Sequence, residues 1–484
     1  MRLIRSGTPF VAVVTNGRPQ KISCRIEQPK GVTPKLFPGK PSDLVGDEAK
    51  LGPPEIFVGG MELSEDHRQK RLRQTAGKKV PYSWELVIWF WLAFFFNQAD
   101  RQVFNVVLPN LKAQLALTDV QAGLVASVFT ACLALMVPFA GYAGDAFSKK
   151  WIIVGSVFAW SLSTLLTGFS TGLVSLIVVR SVATAVGESF YAPAASALIG
   201  DYHKETRALA LAIHQTSIYA GVVASGGLAG YVADRFSWRA SFWVFGAAGT
   251  LLGAILCRQI RDSAAESVTE RRVSMRLAAT TVLRTPTLLM LAVAFACMNF
   301  VNIGYLTWMP TYLHERFHLS LANAGFSSMF YHHLLALLGL MTGGWLSDRY
   351  ASRRPKTRLE IQAAGLLLGA PFLCLLGLTG NLWIVYAVLG GSGYCRGLYD
   401  SNIYAGLYEV ITPRFRASAA AFVAAFGFAA GAVAPALLGV VKGSLGLAAG
   451  FSMFSVLYVA AAIATVVGVH RFFRADHARA LNGQ

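Results

Sequence analysis

The stretches "LPNLKAQLALTDVQAG" (108–123) and "MPTYLHERFHLSLANAG" (309–325) decide how this chain is read. Laid side by side, Pro109 falls on Pro310 and Gly123 on Gly325. Two further landmarks follow in the same order. "GYAGDAFSKK" (141–150) matches "GWLSDRYASRR" (344–354), with Asp145 on Asp348, and Arg207 to Gly221 corresponds to Arg416 to Gly431. Apolar segments resemble one another by chance, but chance does not keep polar landmarks in order at offsets of 201–210. The chain is an internal duplication.

The second stretch also holds a competing signal. His314-Glu315-Arg316-Phe317-His318 is a complete HExxH, which sets two imidazoles one helical turn apart beside a glutamate base. A zinc site needs a third ligand. No HxxGxxH continuation follows, and no acidic ligand is plainly placed downstream. In the duplicated first half the same place reads "LKAQL" (111–115). The match is read as accidental, and an intramembrane zinc protease using 314–318 stays only as a remote alternative. No metal, cofactor or catalytic residue is expected, and the chain is not read as an enzyme.

Working outward, 54% of the 484 residues are hydrophobic and 14% are charged, against about 25% charged in soluble proteins. That deficit indicates a polytopic membrane protein. Apolar runs near 84–108, 121–144, 150–169, 173–199, 208–232 and 240–257 precede a polar stretch at 258–286. Six more lie near 287–311, 324–346, 359–379, 381–405, 417–440 and 446–470. The expected fold is all-α, with twelve transmembrane helices in two pseudo-symmetric six-helix bundles, 84–257 and 287–472, joined by a linker at 258–286. Lys149, Lys150, Lys204, Arg207, the 258–284 run and Arg349 to Arg358 crowd alternate loops. The positive-inside rule then puts both termini in the cytoplasm, with 473–484 as a cytoplasmic tail. The net charge of +18 belongs to those loops rather than to nucleic-acid binding. Six scattered cysteines suggest neither a disulfide framework nor a zinc knuckle.

Residues 1–83 differ from the rest. They are basic, lack an apolar signal core, and are expected to be a disordered cytoplasmic tail, with several prolines and no strand or helix periodicity over 1–60. Met61 opens a natural-looking basic leader, so residues 1–60 are expected to be a mis-assigned start.

The duplicated loop Gly141-x-x-x-Asp145-x-x-x-Lys149-Lys150 carries a resemblance. It is similar to the G-x-x-x-D-R-x-G-R-K signature of the major facilitator superfamily. The first copy has Ala146 for the arginine and Ser148 for the glycine. The second, Gly344, Asp348, Arg349, Arg353 and Arg354, has Ala351 for the glycine and one additional residue. In that family the motif gates the conformational cycle, which the resemblance implies here. "NQADRQVFNVVLPNLKAQLALTDVQAGL" (97–124) and "RSVATAVGESFYAPAASALIGDYHKETRALALAIHQTSIYAG" (180–221) further resemble the spinster-like lipid transporters and, more loosely, the anion:cation symporters.

Charges within spans are costly unless paired and useful. Asp100 and Arg101 lie in the first span, and Arg180 and Glu188 in the fourth, eight residues apart and so about 80° round a regular helix. A carboxylate that meets alternating water access can carry a proton, which the resemblance also implies for Glu188 and Asp100. A static ion pair is the plainer alternative. In the tenth span Arg396 and Asp400 are four residues apart and expected to pair. Arg180, Arg396, Asp400 and Arg101, with Tyr191 and Tyr394, are the expected substrate cavity. Tyr305, Tyr399 and Tyr404 are weaker candidates. His214 reads as a packing histidine. His332 and His333 are adjacent and expected to face different ways, which disfavours a shared metal.

The expected function is secondary, proton-coupled transport by alternating access of an amphipathic or anionic solute, with a lysophospholipid-like molecule first. A small organic-acid or sugar-acid:cation symporter is the alternative, and a non-transporting sensor a third. The expected partners are that solute or lipid, protons and membrane lipids, around a monomer in the plasma (inner) membrane.

Overall fold

A computed structural model describes residues 13–15, 18–20, 81–261, 280–351 and 353–482, with backbone alone at 13–15, 18–20, 137–138, 141–146 and 208. Residues 1–77 and 78–484 form two separate units. In the first, β1 (Val13–Thr15) pairs antiparallel with β2 (Arg18–Gln20), Val13 opposite Gln20. This corrects the expectation of no strand character at 1–60. The local cause is a β-branched run followed by Asn16-Gly17, a strong two-residue hairpin signal. The remaining expectations for that tail, and most of the linker, lie outside the described residues.

The second unit is helical, because a chain in hydrocarbon must satisfy its backbone internally. Its helices are α1 (Tyr82–Gln114), α2 (Asp119–Ala146), α3 (Lys149–Thr167), α4 (Leu173–Tyr202), α5 (Arg207–Arg235) and α6 (Trp238–Gln259). Then come α7 (Pro286–Phe317), α8 (Leu321–Ala351), α9 (Thr357–Leu378) and α10 (Leu382–Asp400). The last two spans, α11 and α12, share one helical run, Arg416–Val467, with a corner at Gly446 (φ 82°, ψ 159°). That backbone conformation is natural only to glycine. Two of the spans, α1 and α10, carry charges within them, Asp100-Arg101 and Arg396/Asp400. Beyond the spans, the expected tail is a helix, α13 (Phe473–Asn482), held where Thr287 N donates to Asp476 Oδ2 (2.8 Å).

Two departures from regular geometry bear on the site. In α4 a π segment, Ile177–Ala183, inserts slack around Arg180. Beyond α10, a turn at Ser401-Asn402 precedes a short helix, Ile403–Tyr408. Elsewhere side-chain caps end the elements: Ser148 accepts from Trp151 N, Ser237 from Ala240 N and Asn381 from Trp383 N.

The duplication reaches into the backbone. The non-glycine residues with positive φ among those described are Ala116 and His318, both at 51° and 202 positions apart. Each follows the α-helix that holds Pro109 or Pro310. His318 is therefore a helix-ending residue.

We call the end carrying 81 and 202–207 the terminal end and the other the far end. At the far end an apolar core runs through both halves, including Val106, Leu111, Phe242, Trp308, Leu321 and Phe451. Toward the terminal end the described core is split. Leu86, Phe90, Trp160 and Tyr191 pack within the first half, and Leu288, Leu407 and Val423 within the second. The two far-end seams are built alike. A Cβ on Gly123 (α2) would strike the Pro435 carbonyl of α11, and one on Gly325 (α8) the Gly226 carbonyl of α5. Both seams therefore need the hydrogen side chain for close approach.

Candidate functional site

Between the halves lies a cavity of about 300 Å³. One stripe of α1 faces it, Gln98, Arg101, Gln102 and Asn105, at the 3–4 residue spacing of a single helix face. Arg101 Nε donates to Glu188 Oε2 at 2.5 Å, and the glutamate side chain is fully buried. Arg180 Nη2 donates to the Arg101 carbonyl (3.2 Å), and its guanidinium lies over the rings of Phe129 (4.7 Å) and Phe104 (5.4 Å). Its Nε and Nη1 have no hydrogen-bond partner, although the residue is only 4% exposed. A cation held by aromatic faces with free donors is ready to take an anion.

The π segment changes the sequence-based geometry of α4. One inserted residue makes eight positions behave like seven, turning Glu188 to within about 20° of the Arg180 face. The 80° separation is thus corrected, and both side chains reach toward α1. Asp100 points away from the cavity. It is 1% exposed, with the Thr164 hydroxyl beside it but neither carboxylate oxygen in hydrogen-bonding geometry.

In the second half Arg396 Nε donates to Asp400 Oδ2 (3.1 Å) and Arg396 Nη1 donates to Asn302 Oδ1. Arg101, Arg180, Arg396 and Asp400 all line the cavity. Tyr191 and Tyr394 do not, and this corrects their expected place. Tyr191 is buried in the first-half core, where its hydroxyl donates to the Phe90 carbonyl (2.8 Å). The Tyr394 hydroxyl accepts from Thr342 (3.1 Å) within the second half. Tyr305 donates to the Ser328 carbonyl, and Tyr404 is exposed. The tyrosine that lines the cavity is Tyr219 of α5.

Both His332 and His333 line the cavity, each against a different neighbour. Neither ring nitrogen of His332 has a partner, and its ring lies 4.7 Å from that of Tyr305. His333 Nδ1 donates to the Met329 carbonyl (2.8 Å), and its ring meets Tyr219 at 6.1 Å across the halves. His214 stacks on Phe94 at 4.8 Å, outside the cavity lining. Asn299 and Asn302 went unread in the sequence. They stand 201 positions after Gln98 and Arg101, the offset of the two prolines, so the repeat itself carried their signal.

In the terminal-end motif, the side chains of Gly141 and Asp145 lie outside the described residues. Lys149 pairs with Asp201 (2.6 Å), and Lys150 lies over Trp151. Gly344 faces open space. The 82%-exposed Asp348 side chain is 4.0 Å from Arg358, which pairs more closely with Glu409 (3.1 Å). Arg349 covers Trp345, and Arg353 is exposed. The HExxH residues are structural. His314 Nδ1 donates to the Leu319 carbonyl (2.6 Å), and Glu315 accepts from Lys442 (2.7 Å).

Twelve membrane-crossing helices in two related halves, closed over a charged central cavity, define a polytopic solute carrier. The sequence model described as the Major Facilitator Superfamily matches residues 90–361, and the chain belongs to that superfamily. It is 23% identical to a hexuronate transporter of Bacillus subtilis over 79% of this chain and 95% of that one. It is 27% identical to protein spinster homolog 1 of Xenopus laevis over 58% of this chain and 57% of that one. A crystal structure of a bacterial homolog to the human lysosomal transporter spinster, inward-facing and unoccupied, superposes with a TM-score of 0.69 at 21% identity. That match covers 82% of this chain and 98% of the other. The chain is thus a multi-pass membrane transporter and not an enzyme, similar both to spinster proteins and to sugar-acid and anion transporters.

Proposed function

We propose that this transporter carries a small, hydroxyl-rich organic acid, coupled to protons, by alternating access in the plasma membrane with both termini cytoplasmic. The observation that carries the reading is the cavity itself. It holds a buried guanidinium with two unpartnered donors, Arg180 Nε and Nη1, together with unpartnered buried polar atoms of Asn299 and His332. A carboxylate at Arg180 with hydroxyls toward Asn299, His332, Gln98 and Asn105 would satisfy donors that otherwise cost free energy to bury. The cavity volume, about 300 Å³, accommodates a hexose-sized acid. Glu188 holds Arg101 across α1 and α4, so a proton arriving there would release that contact, and Asp100 stands beside it as a second proton carrier.

A lysophospholipid is the second reading. It is favoured by an open apolar groove of about 620 Å³ between α2 and α11, lined by Leu124, Val128, Leu135, Ala425 and Val433, and by the spinster likeness.

Proteoliposomes with a trapped pH dye test both. Hexuronates and aldarates are expected to drive proton entry that Glu188→Gln abolishes. Flux with lysophospholipid alone, above that of protein-free vesicles, would replace the first reading by the second. Substrate flux without proton movement would remove the coupling.

A further inference from the structure

The far end is shut by charged groups that reach across the seams, and the duplication pairs them. At the α2–α11 seam, Lys442 Nζ lies 3.1 Å from Asp119 Oδ1 of the other half, and 2.7 Å from Glu315 at the end of α7. Lys112 adds a second cation to Asp119 at 2.5 Å. At the α5–α8 seam, Asp234 reaches across to the first turn of α8. Its Oδ1 accepts from Leu321 N (3.2 Å) and its Oδ2 from Ala322 N (3.0 Å). Asp234 and Lys442 are 208 positions apart, and Asp119 and Leu321 are 202 apart. Both fall within the repeat's range of offsets, 201–210. The same place in each half therefore holds a cross-seam group of opposite sign, and each meets the start of a helix.

We propose that Asp234 and Lys442 are a pair of pseudo-equivalent locks that set the free energy of the far-closed state. The chemistry differs between them. Lys442 meets a carboxylate at the first residue of α2. Where α8 begins with leucine instead, Asp234 supplies the carboxylate from the other half, taking two otherwise unpaired helix N–H groups and the positive end of the helix dipole. Either arrangement ends when the seam opens, leaving the first N–H groups of α8 without Asp234 and Asp119 without Lys442, while Glu315 keeps Lys442 and Lys112 keeps Asp119 within their own halves. Glu315 orients Lys442 from its own half, which gives the acidic residue of the HExxH sequence a role unrelated to zinc.

The inference rests on the alternating-access reading, and spin-label distances test it independently of substrate and protons. In a cysteine-free background, labels at Thr171 and Gly380 report on the far end, and labels at Lys204 and Arg414 on the terminal end. The parent is expected to give mainly a short far-end distance. Lys442→Met and Asp234→Ala should each raise the ratio of long to short far-end populations about tenfold, within the usual range of conformational couplings. The terminal-end distance should shorten in step, and Lys442→Arg should restore the parent distribution. Combining the two substitutions should multiply their effects, because separate seams act on one equilibrium. Unchanged distances would overturn the locks whatever the flux assay gives. A far end that lengthens while the terminal end does not shorten would also overturn them, since that describes loosening. If the distances move as expected while no substrate drives protons, the locks stand and the coupling reading fails.

Discussion

The two halves place different chemistry at matching positions. In the first, Arg101 on α1 is held by Glu188 on α4. The residues 201 and 208 positions later, Asn302 on α7 and Arg396 on α10, also bond across their helices, but the cation has moved to the other helix and the acid is replaced by an amide. Arg396 then draws its counter-charge from Asp400, one turn along its own helix. The first half therefore joins two helices by an ion pair that one proton can dissolve. The second joins them by an arginine–amide bond that survives a proton on Asp400. If the transporter is proton-coupled as proposed, the proton-sensitive contact lies in the first half, beside the Arg180 anion site, and the second half adds contacts that a proton does not change.

Glu188→Gln tests the comparison hardest. It strands Arg101 beside a neutral partner, and losing one side of a buried pair typically costs about 3–5 kcal/mol. Gradient-driven uptake in proteoliposomes should fall at least about a hundredfold, while Asp400→Asn stays within about tenfold of the parent. Equal losses would end the division of labour. Next in size is Arg180→Gln. Uptake titrated against substrate should show a half-saturating concentration raised about thirtyfold, with little recovery in Arg180→Lys, because an ammonium lacks the planar fork. Asn302→Ala frees Arg396 Nη1 and should weaken substrate affinity about fivefold without altering the proton-to-substrate ratio measured in the same vesicles. His332→Phe should reduce discrimination between a hydroxylated acid and its deoxy analogue about threefold in competition uptake. Smallest of all, Tyr394→Phe should leave affinity within about twofold. Tyr191→Phe should do likewise while lowering stability by about 1 kcal/mol in a thermal unfolding assay.

The sequence already contained the twelve spans and the two-fold repeat, because a membrane span is a composition and polar landmarks keep their order. It also contained the four charges that line the cavity, with Asp100 and Glu188 beside them, since charge is rare enough in a span to be conspicuous. Rotation about each helix axis was not legible. Tyr191 and Tyr219 are equally plausible in the sequence, and packing alone turns the first into the core around Trp160 and the second toward the cavity. The π segment at 177–183 has no compositional mark, yet it decides which face Glu188 shares. His332 and His333, neighbours about 100° apart on a helix, were likewise not legible as cavity residues. A cavity wide enough to be walled by several helices admits both.

The corner at Gly446 bears on how the far end can move. Because α11 and α12 form one run with a single positive-φ residue between them, no slack separates the two spans. Lengthwise sliding of α11 against α2 would have to drag α12 with it, along with Phe451 and Phe454, which are packed in the shared core. The Lys442 seam is thereby denied shear and left with tilting, the two spans swinging together like the arms of a bent crank.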